Sequence, residues 1–151
     1  SRSELITALV AIATLDWETG LETWGQPVAQ HRTENVAIAA WVVDDRLVKV
    51  KGSWPLIIGI HVLEGNWELA ALRFDAPQGQ PWKVVNVEPR FLHNGEEVFV
   101  DTINEGSRTF LAVEIDGDSD CVDIELNGKM NTIPMAARIP STILRNSEQE
   151  E

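Results

Sequence analysis

Tyrosine is absent from the 151 residues, and cysteine occurs once, at Cys121. A single cysteine excludes an internal disulfide framework and favours a reducing compartment, so a cytoplasmic protein is expected. Lysine is scarce as well, supplying four of the twelve basic residues, while 24 acids bring the formal charge to −12. A field of that sign repels phosphate backbones and anionic lipid, so neither direct nucleic-acid binding nor membrane binding is expected. Long apolar runs are missing too. Residues 5–15, interrupted by Thr7 and Thr14, fall well short of the ~20 residues of a membrane-spanning helix. Arg2 alone makes a thin positive region for a signal peptide, and no small-residue cleavage pattern follows cleanly.

The familiar catalytic patterns are also lacking. No serine stands in a G-x-S-x-G setting, and no glycine-rich loop has the lysine or the spacing that phosphate binding needs. His31, His61 and His93 share metal-ligand spacing neither with one another nor with Cys121. His61 lies in an apolar segment, where a buried histidine with a hydrogen-bond partner is expected. His93 adjoins the turn residues Asn94 and Gly95, and His31 sits in a polar stretch that reads as a loop. Cys121 opens a strand with no base near it in sequence, which fits a small half-buried side chain better than a nucleophile. No catalytic residue, metal or cofactor is therefore assigned. A hydrolase-like acid and base could be drawn from Glu64, Glu68, Asp75, Glu88 and Asp101, but so acidic a chain offers carboxylate pairs everywhere and spacing does not select one.

What the chain has is strands. Residues 56–63 and 67–74 are apolar runs joined by Glu64-Gly65-Asn66, and Gly65-Asn66 supplies the positive φ angles of a tight turn, so a central β-hairpin is predicted. The first run is apolar on both faces and belongs in the middle of a sheet. Further strands are predicted over residues 36–43, 46–51, 82–92 with Pro89 marking an edge or bulge, 96–103, 108–116, 121–127 and 132–139. Eight or nine strands with short connections predict an all-β, single-domain antiparallel meander, a β-sandwich or an up-and-down barrel, over residues 1–140. Residues 3–15 fit a short N-terminal helix, though they also fit strand alternation. If helical, they would allow the alternative of an α+β fold with that helix against a curved sheet. Residues 141–151 read as an acidic tail that frays.

Two groups of residues stand out as candidate binding positions. If residues 108–116 and 121–127 pair as a hairpin, Glu114 lies directly opposite Asp123, with Asp116, Asp118 and Asp120 gathered at the tip. Opposed like charges destabilise a sheet by up to about 1 kcal/mol, which a basic partner would relieve. Asp116-x-Asp118-x-Asp120 has the spacing of the first half of a calcium loop, but Cys121 replaces its glycine and Asn127 its final glutamate, so no metal is assigned. The second group is tryptophan. Trp41 alternates into a core, whereas Trp17, Trp24, Trp54, Trp67 and Trp82 lie in or beside predicted turns, where rings cap a core, anchor a protein interface or stack on sugar. The leading expectation is a non-catalytic interaction or assembly module that engages a basic protein partner or self-associates as a homo-oligomer. A small-molecule or carbohydrate-binding domain using the tryptophans, and a small hydrolase, are the alternatives.

Overall fold

A computed structural model describes residues 25–42, 53–76 and 82–143, with side chains to residue 139. The helix expected over residues 3–15, the strand over 46–51, Trp17, Trp24 and the segment beyond residue 143 lie outside the described residues. Among the described residues ten strands form, β1 Ala29–Arg32, β2 Val36–Val42, β3 Trp54–Val62, β4 Trp67–Asp75, β5 Lys83–Glu88, β6 Leu92–His93, β7 Glu97–Ile103, β8 Arg108–Asp116, β9 Cys121–Met130 and β10 Ile133–Ile143. They make two five-stranded antiparallel sheets. Sheet I has the order β1-β2-β3-β8-β5 and sheet II the order β10-β9-β4-β7-β6. The all-β sandwich is the expected class, and β10 carries it three residues into the segment expected to fray.

Alternation builds the interior. Ile38, Ala40, Leu56, Ile58, Ile60, Leu111 and Val113 project from sheet I against Leu72, Phe74, Val98, Val122, Ile124 and Leu126 of sheet II, all of them buried. Each fully buried Val, Leu, Ile or Phe among them contributes about 1.5–3 kcal/mol. Tryptophan fills the remaining space. Trp67 is wholly buried and donates its indole N–H to the Asn127 carbonyl at 3.0 Å, and Trp82 does the same to Cys121 at 3.0 Å.

Most strands stand where they are expected, with β1 added in a stretch expected to be a loop, but several pairings differ. β3 and β4 do not form a hairpin. β3 is the central strand of sheet I, with β2 on one edge and β8 on the other, and β4 lies in sheet II between β9 and β7. A strand apolar on both faces takes the middle of a sheet, and there both of its edges are occupied, so the next strand must cross to the other layer. The same reason corrects the hairpin drawn from β8 and β9, whose edges are taken by β3 and β5 and by β4 and β10 respectively. The single strand expected over residues 82–92 is two, β5 in sheet I and β6 in sheet II, separated at Pro89, which has no N–H for a ladder. His31 lies in edge strand β1 opposite Ile38, not in a loop.

The outward face of sheet I is itself partly buried. Ala39, Trp41, Ile57, Phe110 and Ala112 are turned away from the sandwich interior yet are at most 6% exposed, and the rings of Trp41 and Phe110 stack with centroids 6.1 Å apart. Trp41 donates its indole N–H to the Gly25 carbonyl at 2.8 Å. At one end of this face Arg32, Ala37, His61 and Arg108 form a cross-strand row. His61 is thus a half-buried residue of sheet I, opposite Ala37 and Arg108, where the sequence predicts a buried histidine. Burial, then Arg108, then Arg32, depress its pKa below 6.5.

Candidate functional site

Two surfaces concentrate exposed apolar groups and charge. The first is the outer face of sheet II. There the register aligns Leu92, Phe99, Ala71, Asn127 and Ala136 in one row across all five strands. The next row is Glu97, Arg73, Glu125 and Arg138, alternating in sign from β7 to β10. Beyond it Asp75 lies opposite Asp123.

Ion pairs tie these rows together. Arg73 Nε donates to Asp75 at 3.1 Å, and its Nη2 lies 3.5 Å from Glu96. Arg138 Nη2 donates to Asp123 at 2.7 Å, and Nη1 lies 3.7 Å from Glu125. Hydrogen bonding to these carboxylates raises both guanidinium pKa values, through Asp75 for Arg73 and through Asp123 for Arg138. Glu97 accepts a 3.3 Å hydrogen bond from Asn127, reaching across the small Ala71 of β4. Opposed acids therefore do occur on this chain, but the partner of Asp123 is Asp75, and Arg138 relieves the repulsion from within.

Leu69 stands on the same face, 63% exposed and with a left-handed φ of 52°. It belongs to a bulge in β4 where the register shifts against both neighbours. Across the bulge, Gly128 has φ 132°, and a Cβ there would fall 2.6 Å from the Glu68 carbonyl oxygen, so the position demands glycine.

The second surface is one end of the sandwich. The chain from β3 to β4 is fastened there by three other loops. Leu63 N–H donates to the Asn35 carbonyl at 2.7 Å, Gly65 N–H to Glu105 Oε1 at 2.7 Å, and Asn66 N–H to Asn131 Oδ1 at 2.9 Å. Asn66 Oδ1 in turn accepts from Glu105 N–H at 2.9 Å. Beside this network an open cleft of about 270 Å³ is lined by Asn35, Met130, Asn131, Ile133, Pro134 and Met135. Ile133 is 69% exposed. Glu68 and Lys129 border the cleft, Lys129 standing opposite both Pro134 and Glu68. Glu34 precedes Asn35, Glu64 is hydrogen-bonded to Asn35 through its carbonyl at 3.2 Å, and Glu68 Oε1 accepts from Thr132 N–H at 3.1 Å.

The residues singled out in the sequence are dispersed. Glu114 is buried on the outer face of sheet I, between Pro55 and Asn86, and Asp123 lies on sheet II, so the two are not opposed. Asp116 ends β8 opposite Lys83, Asp118 and Asp120 lie on the connection from β8 in sheet I to β9 in sheet II, and all three are exposed. Among the described residues no group of three or more His, Cys, Asp or Glu is placed to hold a metal ion. Trp67 and Trp82 are buried, and Trp54 is half-buried against the core. Arg73, Glu97, Glu125, Arg138, Ile133 and the methionines were not signalled by any motif; what joins them is strand pairing.

No protein-family model matches the chain, and no curated protein sequence does. Solved structures similar to it include the GAE domain of GGA2p from Saccharomyces cerevisiae, at 9% identity over 78% of this chain and 100% of that one, with a TM-score of 0.43. The yeast delta-COP-I mu-homology domain, solved in complex with a Dsl1 WxWxV peptide, matches at 14% identity over 62% of this chain and 39% of that one, with a TM-score of 0.40. A conjugate transposon protein (27–141) from Bacteroides vulgatus matches at 15% identity over 78% and 90%, with a TM-score of 0.41. The identities are too low and the superpositions too loose to transfer a partner or a binding surface.

Proposed function

We propose that this chain is a non-catalytic protein-interaction module that engages a basic partner at the loop end of its sandwich. The observation that carries the reading is the cleft formed by Met130, Met135 and the exposed Ile133, bordered by the Glu68 carboxylate. A hollow lined by methionine, isoleucine and proline together with Asn35 and Asn131 suits a segment that inserts one apolar side chain and flanks it with lysine or arginine. Methionine supports this role because its unbranched, polarisable side chain adapts to different apolar groups. Glu68, backed by the net charge of −12, would steer such a segment inward and speed its association.

Fluorescence anisotropy with labelled Lys/Arg-rich peptides carrying one central Leu or Met tests the reading. Saturable binding is expected, weakened by 0.5 M NaCl and lost when the central residue is Ala or the basic residues are Glu. Ile133→Asp is expected to weaken it about 10-fold, equivalent to ~1.4 kcal/mol. Binding that ignores both the central residue and Ile133→Asp would dismiss the cleft as the contact.

A further inference from the structure

We propose that the outer face of sheet II pairs with the same face of a second copy of this chain about a two-fold axis parallel to the strands, between β4 and β9. The surface is self-complementary in the sense that an isologous contact requires. Rotation about that axis lays each cross-strand row over its own reverse. The row Glu97, Arg73, Glu125, Arg138 then meets Arg138, Glu125, Arg73, Glu97, so that every carboxylate faces a guanidinium. An alternating row of four charges has this property only because its two ends differ in sign.

Shape follows the same rule. Phe99 on β7 meets Ala136 on the other copy's β10, and Ala71 on β4 meets Asn127 on its β9. Leu69, the exposed side chain at the β4 bulge, meets β9 of the other copy at Gly128, where there is no side chain. Large groups thus oppose small ones along the interface. The left-handed φ of Leu69 belongs to the β4 bulge, which leaves its side chain 63% exposed on this face. The unfavourable pair is Asp75 against Asp123, but these side chains are 17% and 9% exposed and already bound by Arg73 and Arg138. Both guanidinium groups remain about half exposed, with donors to spare.

About this axis four strands of each copy overlap, β7, β4, β9 and β10, and at about 4.8 Å apart and some seven residues long they present on the order of 450 Å² per copy. An interface of that size is at the low end of specific contacts, so a dimer dissociating in the micromolar range is expected. This face adjoins the loop-end cleft, where Met135 stands opposite Gly128, but takes none of its contacts from the cleft residues, and the proposal stands without the basic-partner reading.

Sedimentation velocity between 1 and 200 µM is the test. The unaltered chain should shift from monomer to dimer across that range. Arg73→Glu and Glu125→Arg should each remain monomeric at 200 µM. Their equimolar mixture should recover the dimer to within about threefold, because the glutamate introduced in one variant would then face the arginine introduced in the other. Leu69→Asn guards against loss of folding, since asparagine adopts a left-handed φ more readily than leucine. It should melt no lower than the parent while weakening the dimer at least 10-fold. A parent chain that is monomeric at 200 µM, a folded mixture that stays monomeric, or a Leu69→Asn dimer of unchanged affinity would each overturn the proposal.

Discussion

His61 is the titratable residue whose surroundings oppose its charge most plainly. It sits half-buried between Arg32 and Arg108 in a cross-strand row, and its folded-state pKa lies below the ordinary 6.5. The sign follows from proton linkage: the unfolded chain takes up the proton more readily, so stability falls as the pH drops below 6.5 toward the folded-state value, and the penalty is absent above 6.5. Urea unfolding at pH 7.5 and at pH 5.5 checks this. The parent chain should lose more stability between the two than His61→Gln does, and parallel losses would rule out His61 as the source. The sequence supplied the histidine within an apolar segment. It could not supply the arginines, because Arg32 and Arg108 come from strands that reach His61 only through the register of sheet I.

At the scale of elements, strand positions were legible and strand partners were not. Alternation is a property of one strand, so β2, β3, β4, β7, β8 and β9 could be placed from their own residues. Pairing depends on which edges are already filled, and the two-sided apolar character of β3 implied a central place without naming its neighbours. The turn chemistry was right for Gly65 and wrong for Asn66, which does not take the positive φ expected of it. Gly65 does have φ +80°, yet the turn serves a crossing between sheets because Asn35, Glu105 and Asn131 hold it there. Gly65→Ala should therefore cost more than backbone strain alone, since the new methyl would occupy the place of the Asn131 side chain. Gly95 provides the comparison, with φ +95° and no heavy atom within 4 Å of an added Cβ. Gly95→Ala should cost about 1–2 kcal/mol, and Gly65→Ala about 1 kcal/mol more for the disturbed Asn66–Asn131 hydrogen bond. Equal losses by chemical denaturation would mean that the asparagine yields freely and does not fix the crossing.

For the whole molecule, the two proposed surfaces are coupled by charge even though they share no residue. Two copies at −12 each repel as they approach, and that repulsion opposes the dimer throughout, whatever the balanced row on sheet II contributes locally. A basic peptide seated at the cleft lowers the net charge of each copy before they meet. Its binding should accordingly tighten the dimer, and dimerisation should tighten peptide binding by the same factor, since coupling between two binding equilibria is reciprocal. The effect is long-range and must fade as the screening length shrinks from about 30 Å at 0.01 M salt to about 3 Å at 1 M. Measuring the dimer dissociation constant with and without saturating peptide, at 0.02 M and at 0.5 M NaCl, should give a several-fold tightening at low salt that disappears at high salt. A coupling that persists at 0.5 M would point instead to a change of conformation linking the cleft to sheet II, carried through Glu68 and Thr132, whose hydrogen bond joins the β9–β10 turn to the β4 bulge.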